Sequence, residues 1–240
     1  MGADQHIDWH GQAASVLEWW RDAGVDVLVE DDLRDWFAAP ASPAAAPAAA
    51  APAPPPAAVV PDTLDAFLAW RMGEHAPEER WNAYRLPVAI RAGAPLMIVT
   101  DLPEESDSEA GAWMTGPVGM LLDRMLAACG LARADVAIAG VAWARPLSGR
   151  IPMGATDTLA DLARRLVTLA EPRRVLLFGP EACQAILGAD GRRGGLRALN
   201  HGGLSCPTIA TLHPRFLLER PQYKGEAWRD LQLLFRETDA

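Results

Sequence analysis

The sequence predicts an α/β fold: a three-layer α/β/α sandwich around a four-stranded parallel sheet, preceded by a helical N-terminal extension and an Ala/Pro linker. Three observations carry this. Short apolar runs alternate with longer stretches of helical period, as right-handed strand–helix–strand crossovers require. Half of the 240 residues (50%) are hydrophobic, enough for a sizeable core. Residues 39–58 are almost wholly Ala and Pro, a composition with no apolar surface to bury and therefore a tether. The expected organisation is a helical extension at 1–38, a linker at 39–60 and the folded domain at 61–240.

In the extension, Ala14, Val16, Leu17 and Trp20, then Val25, Val27, Leu28, Leu33, Trp36 and Phe37, form two short amphipathic patches split by Gly24. The domain opens with a helix carrying Leu64, Phe67, Leu68 and Trp70 on one face, with Asp62 or Thr63 as its N-cap. Leu96–Thr100 is short, apolar and ends at Asp101, which reads as a buried parallel strand. Further strands are expected at 135–141, 174–179 and 208–211. Helices are expected at 119–126, 158–170, from Pro180, and at 226–238, the last with Trp228, Leu231, Leu234 and Phe235 inward. In such sheets the ligand site lies beyond the carboxyl ends of the strands, here Asp101, Gly140 to Trp143, Gly179 and His213.

Charge is unevenly spread. The net charge is -9, yet residues 1–140 hold 8 basic and 21 acidic side chains while residues 141–240 hold 14 and 10. A basic second half can face phosphate although the whole is acidic. The three cysteines, Cys129, Cys183 and Cys206, are far apart and odd in number, which excludes a disulfide framework and gives no metal spacing. They read as reduced thiols. No apolar run is long enough to span a membrane, and the first residues lack the layout of a secretory signal, so a cytoplasmic location is expected.

Two residues at strand ends suit catalysis. Asp101 can polarise a water or support a developing cation. His213 can donate a hydrogen bond to an oxygen that gains charge as a leaving group departs. Arg215 to Arg220 reads RFLLER: two leucines between cations, a pattern that suits insertion into a nucleic-acid duplex with arginines on phosphates.

Four blocks of residues then resemble the uracil-DNA glycosylase superfamily, and within it the iron–sulfur, thermostable-type branch. The most specific is TLHPRFLLERPQYKGEAWRDLQLL, Thr211 to Leu234, against THPxxLLxxPxxKxxxWxDLQxL. In Val99 to Leu126, Asp101 and Pro103 fall on the Glu and Pro of a Gly-Glu-Ala-Pro-Gly motif, Met114 on the Phe of Gly-x-Pro-Phe, and Gly116 and Gly119 on later glycines. Arg145-Pro146 and Arg150-Ile151-Pro152 match Arg-Pro…Asn-Arg-x-Pro, and Pro172 to Gly188 is similar to a Pro-strand-Gly-x-x-Ala…Leu-Gly segment. Trp19-Trp20…Ala23-Gly24-Val25-Asp26 is similar to a leader found on some bacterial members.

The resemblance implies DNA repair by base excision: a hydrolase that binds DNA, extrudes a nucleotide and cleaves its N-glycosidic bond. Asp101 and His213 would be catalytic; Pro103, Met114 and Gly140 would line the base pocket. Arg145, Arg150, Pro214, Arg215, Leu217, Leu218, Arg220 and Lys224 would contact DNA, the leucines filling or wedging the stack. A monomer is expected, with residues 1–58 a candidate for docking a protein partner.

The departures from the branch are as informative. Its third and fourth cluster cysteines fall on Ala144 and Leu159, and no cysteine precedes the first strand, so no iron–sulfur cluster and no other cofactor is expected. Gly140 replaces an asparagine that reads the base edge, Met114 an aromatic that stacks on it, and Asp101 a longer glutamate. Thr100 and Glu104 replace motif glycines, and Glu104 is expected to put negative charge where DNA approaches. Glu219 replaces an arginine, with Arg220 beside it. The sequence thus predicts a glycosylase of weakened or altered specificity, or an inactive relative acting as a DNA- or partner-binding module.

Overall fold

A computed structural model describes residues 9–23, 60–188, 191, 193–201 and 204–236. The chain divides into two units, Met1–Pro55 and Pro56–Ala240. In the first, α1 spans Trp9–Asp22. It exposes Trp9, Val16, Leu17, Trp19 and Trp20. The second helical patch of the extension and nearly all of the linker lie outside the described residues.

The second unit begins with α2 (Leu64–Met72). Thr63 is its N-cap in extended conformation, although its side chain makes no capping bond. The elements that follow are β1 (Leu96–Thr100), α3 (Asp107–Ala110), α4 (Gly116–Ala128), β2 (Val136–Gly140), α5 (Met153–Ala170), β3 (Val175–Phe178), α6 (Pro180–Leu187), β4 (Arg197–His201), β5 (Leu204–Thr211), α7 (Pro214–Glu219) and α8 (Lys224–Arg236). The helices start where local chemistry lets them. Pro117, Pro180 and Pro214 sit in first turns, where the missing N–H is no loss. α5 begins five residues earlier than its apolar period suggests, at Met153, because Pro152 serves as its N-cap.

The sheet has five strands in the order β2-β1-β3-β5-β4, not four. β1, β2, β3 and β5 are parallel, and β4 is an antiparallel edge strand paired to β5. The extra strand was hidden in the sequence: RALNH has no apolar run, and β5 extends upstream through Ser205, Cys206 and Pro207 to meet it. Every residue of β1, β2 and β3 is buried, as expected of a parallel sheet covered by helices on both faces. At the C-terminal helix, Leu231 and Leu234 are buried but Trp228 is 40% exposed, contrary to its expected inward setting. No helix among the described residues is long and apolar enough to cross a membrane.

Candidate active site

Register aligns the carboxyl ends of four strands. Thr100 pairs with Gly140 on one side and with Phe178 on the other, and Phe178 pairs with Thr211. The chain leaves β1 toward β2 and leaves β3 toward β5, so a crevice opens between β1 and β3. A cleft of about 360 Å³ lies there, and Thr100, Asp101, Arg145, Gly179, His213 and Arg215 are among its lining residues. A larger groove of about 540 Å³ lies at the opposite strand ends beside Pro95 and Val136, with Arg91 and Asp135 as its titratable groups. Only the smaller cleft joins the two residues expected to be catalytic.

Asp101 follows β1 directly and caps the start of α6. Ala182 N–H donates to its Oδ1 at 2.7 Å. Burial pushes its carboxyl up to about 7, against the opposing pull of the Ala182 N–H. The approach is close enough to need a glycine: Gly179 has φ +104, and a Cβ there would lie 2.3 Å from Asp101 Oδ2.

His213 is the N-cap of α7. Arg215 N–H donates to its Nδ1 at 3.1 Å, so the neutral ring carries its hydrogen on Nε2. Burial lowers its pKa to about 4, with the Arg215 charge adding to the effect, so the imidazole is neutral at pH 7. Nε2 lies 3.3 Å from Thr100 Oγ1 and 3.5 Å from Glu104 Oε1. The ring therefore offers a hydrogen bond, not a proton.

The three expected base-pocket residues are all buried but do not line this cleft. Pro103 lies just behind it, and its carbonyl accepts from Arg145 Nη1 at 3.0 Å. At Gly140 a Cβ would stand 2.8 Å from two indole carbons of Trp113 and 2.3 Å from the Ala142 carbonyl oxygen. Trp113 thus fills the space a side chain at position 140 would take, with its Nε1–H donated to Pro87 O at 3.0 Å. Met114 is held at φ 51, a conformation an L-residue adopts at some cost. It is fixed there by Asp107, which accepts from Met114 N–H at 2.8 Å and Thr115 N–H at 2.7 Å, and by Arg133, which donates to the Trp113 and Met114 carbonyls at 2.6 Å each.

Sequence reasoning missed Trp113, Asp107 and Arg133. A signal existed for the first: a tryptophan stands at the Pro of Gly-x-Pro-Phe in a chain whose position 140 lost its side chain, an exchange of small for large across two elements.

Of the residues expected to face DNA, Arg145, Arg150, Arg215, Arg220 and Lys224 all reach solvent at least in part. Arg220 stacks on Phe216 at 5.5 Å. Pro214 is buried in the first turn of α7. Leu217 is 1% exposed and lies in an apolar pocket with Met125 of α4 and Leu231 of α8. Leu218, at 39%, presents the apolar surface of this turn instead. Glu104 also departs from expectation. Its carboxylate is turned inward and paired with Arg215 rather than directed at an approaching duplex.

The residues at the cluster-ligand positions do not fit an iron–sulfur group. Ala144 and Leu159 are fully buried and carry no donor. Cys129, Cys183 and Cys206 are free thiols pushed up by burial, Cys183 to about 11, the reverse of what thiolate ligation needs. Among the described residues no group of His, Cys, Asp and Glu could hold a metal ion.

A mostly parallel sheet whose strand ends bring a carboxylate and a neutral histidine to one cleft, with an arginine-bearing helical turn beside it, defines an α/β protein with a polar site at the switch point of its sheet. The family model of the uracil DNA glycosylase superfamily matches residues 87–232, more than half the chain, and the chain belongs to that superfamily. It is similar to a type-4 uracil-DNA glycosylase of Pyrobaculum aerophilum, 29% identical over 171 residues that cover 68% of this chain and 87% of the relative. It is also similar to a type-4 uracil-DNA glycosylase of Archaeoglobus fulgidus, 28% identical over 148 residues that cover 58% and 74%.

Proposed function

We propose that this protein is a DNA glycosylase that hydrolyses the N-glycosidic bond of uracil or a related damaged base, with altered base preference and without an iron–sulfur cluster. One observation carries the reading: Asp101 and His213 line the same solvent-open cleft at the strand ends. As the glycosidic bond breaks, the sugar gains oxocarbenium character and the base leaves as an anion. Ionised Asp101 orients the attacking water and stabilises the cation. The His213 Nε2–H donates to the base oxygen that gains charge, a task for a neutral imidazole. Arg145, Arg215 and Arg220 bind phosphates, and Leu218 enters the stack. With Trp113 packed against Gly140, the base is not read by an asparagine there, which supports a changed preference.

A second reading, a non-catalytic DNA-binding relative, draws on the same Trp113–Gly140 packing. One assay separates the two. Purified protein is given single-stranded and mismatched uracil oligonucleotides and released base is measured. Cleavage by wild type that falls at least about a hundredfold in Asp101→Asn and His213→Ala supports the glycosylase. No release from uracil, hypoxanthine, xanthine or hydroxymethyluracil DNA, with salt-dependent binding intact, supports the second reading. A protein that purifies brown, with iron and sulfide, contradicts the absence of a cluster.

A further inference from the structure

Glu104 is a buried acid for which the proposed chemistry has no use. Its Oε2 accepts two hydrogen bonds from Arg215, from Nε at 2.8 Å and Nη2 at 2.5 Å. Its Oε1 has no hydrogen-bond partner although solvent does not reach it, and it lies 3.5 Å from His213 Nε2. Its backbone is fixed as firmly. Glu104 N–H and Met114 N–H both donate to Asp107 Oδ2 at 2.8 Å, which sets Glu104 between His213 and the Trp113–Met114 turn. The carboxylate thus fills the space beside the one N–H that His213 can offer a leaving base. The other charges near it are Asp107, which opposes its ionisation, and Arg145, which favours it.

A buried carboxylate with one unpaired oxygen is costly to keep, so its setting depends on the Arg215 pair. Arg215 is not itself buried. Its side chain is 46% exposed on the first turn of α7, the turn read above as facing DNA. A guanidinium binds phosphate in the same two-pronged way as carboxylate, and a duplex presents phosphates at that turn.

We infer that Glu104 is a gate on base entry, latched by Arg215 and released when a DNA phosphate takes Arg215 over. Deprived of its cation, the carboxylate turns out to water, and the volume next to the His213 Nε2–H becomes available to an extruded base, which takes that N–H over from Thr100 Oγ1. A glycine at this position leaves the pocket open at all times; the glutamate makes base entry conditional on a phosphate contact. The inference rests on the reading of α7 as DNA-facing.

The test uses full-length wild type, Glu104→Gly and Glu104→Gln. Each is titrated into a duplex carrying a non-hydrolysable 2′-fluorinated deoxyuridine beside 2-aminopurine, whose fluorescence rises when its neighbour leaves the stack. The same duplex without uracil is the control. Glu104→Gly is expected to bind both the uracil and the control duplex about tenfold tighter than wild type, because neither then has to break the Glu104–Arg215 pair. An unchanged affinity for both overturns the gate. Should the glycine variant not fold, Glu104→Gln carries the test, because a neutral amide does not hold Arg215 as an ion pair. A gain in the same direction is expected, and no gain overturns the proposal. In ¹⁵N-labelled protein the His213 Nε2 resonance should move when control duplex is added to wild type and stay in place in Glu104→Gly; equal movement in both also overturns it. These are binding readouts, so they test the gate even if neither protein releases uracil, an outcome that sinks only the glycosylase reading.

Discussion

Restoring the asparagine at position 140 should damage this protein rather than repair it. A Cβ on Gly140 would stand 2.3 Å from the Ala142 carbonyl oxygen and 2.8 Å from the Trp113 ring. Ordinary contact begins near 3.4 Å, so both neighbours would have to give by more than half an ångström. Neither does so easily. Ala142 N–H donates to the Asp101 carbonyl at 3.2 Å and Val141 N–H to the Thr100 carbonyl at 2.8 Å, so moving this backbone disturbs the loop that positions Asp101. Trp113 is 7% exposed and tied to Pro87. Overpacking of this kind costs about 1–3 kcal/mol, and the backbone clash puts Gly140→Asn at the upper end. For a domain of this size that lowers Tm by roughly 5–10 °C. Urea unfolding followed by circular dichroism measures it, with the midpoint falling and the slope unchanged. Trp113→Ala leaves a cavity and costs about 3–5 kcal/mol alone. The double variant should lose at least about 1 kcal/mol less than the sum of the two, since the cavity accepts the asparagine. A Gly140→Asn protein within about 0.5 kcal/mol of wild type, or strictly additive losses, would refute the reasoning.

The remaining predictions concern Asp101, α7 and the core. Because burial raises Asp101 to about 7, kcat/KM for base release should climb through pH 7 as the carboxylate ionises, and Asp101→Asn should remove the climb with the rate. Stability carries the same signature. Asp101 titrates in the folded state near 7 rather than 3.8, so its contribution is present below about pH 4 and lost as pH rises to 7. His213 titrates near 4 rather than 6.5, so its contribution is present above 6.5 and lost as pH falls to 4. Between pH 4 and 6.5 the two slopes oppose, so denaturation midpoints of Asp101→Asn should climb there by about one proton's worth more than those of wild type. Leu217→Ala should cost about 2–5 kcal/mol of stability, whereas Leu218→Ala should leave the unfolding midpoint near wild type and weaken duplex binding in a filter or anisotropy assay. Glu78→Gln should cost about 3–5 kcal/mol by calorimetry, because it strands a buried arginine.

Much of the sheet was legible because a fully buried parallel strand announces itself: Leu96–Thr100 and Val175–Phe178 are apolar at every position or nearly so. β4 was not, since an antiparallel edge strand needs only one satisfied edge and RALNH pairs through its backbone. In the site, Asp101 and His213 were legible from their place after strands. The pocket was not, because its character comes from side chains that exchange volume across elements. The glycine at 140 is informative only together with Trp113, 27 residues away in a different loop. Glu104 was misread as surface charge because it stands in an acidic run with Glu105, Asp107 and Glu109; the Arg215 partner that draws it inward is 111 residues on.

The apolar residues at positions 144 and 159 raise a mechanical question that the core answers. In the resembling branch the segment before β1 supplies cluster ligands and the loop after β2 supplies another. Here a buried ion pair within the first segment is hydrogen-bonded to the second. Arg71 donates to Glu78 Oε1 and Oε2 at 2.7 Å each, and Glu78 Oε1 also accepts Trp143 N–H at 2.9 Å. The guanidinium stacks over the Trp143 ring at 4.7 Å. Leu86 N–H donates to the Trp143 carbonyl at 2.8 Å, and Arg85 bridges to Ala144, where a cluster cysteine would fall. A pair this deep contributes little net stability, since desolvation offsets its Coulomb gain; what it imposes is register, because neither charge tolerates another setting. The residue after Ala144 in the chain, Arg145, reaches the Pro103 carbonyl at 3.0 Å in the loop that also carries Asp101 and Glu104. Breaking the Arg71–Glu78 pair should therefore loosen the active-site loop before it unfolds the domain, and amide exchange at residues 101–105 should rise in Glu78→Gln under conditions where β3 stays protected.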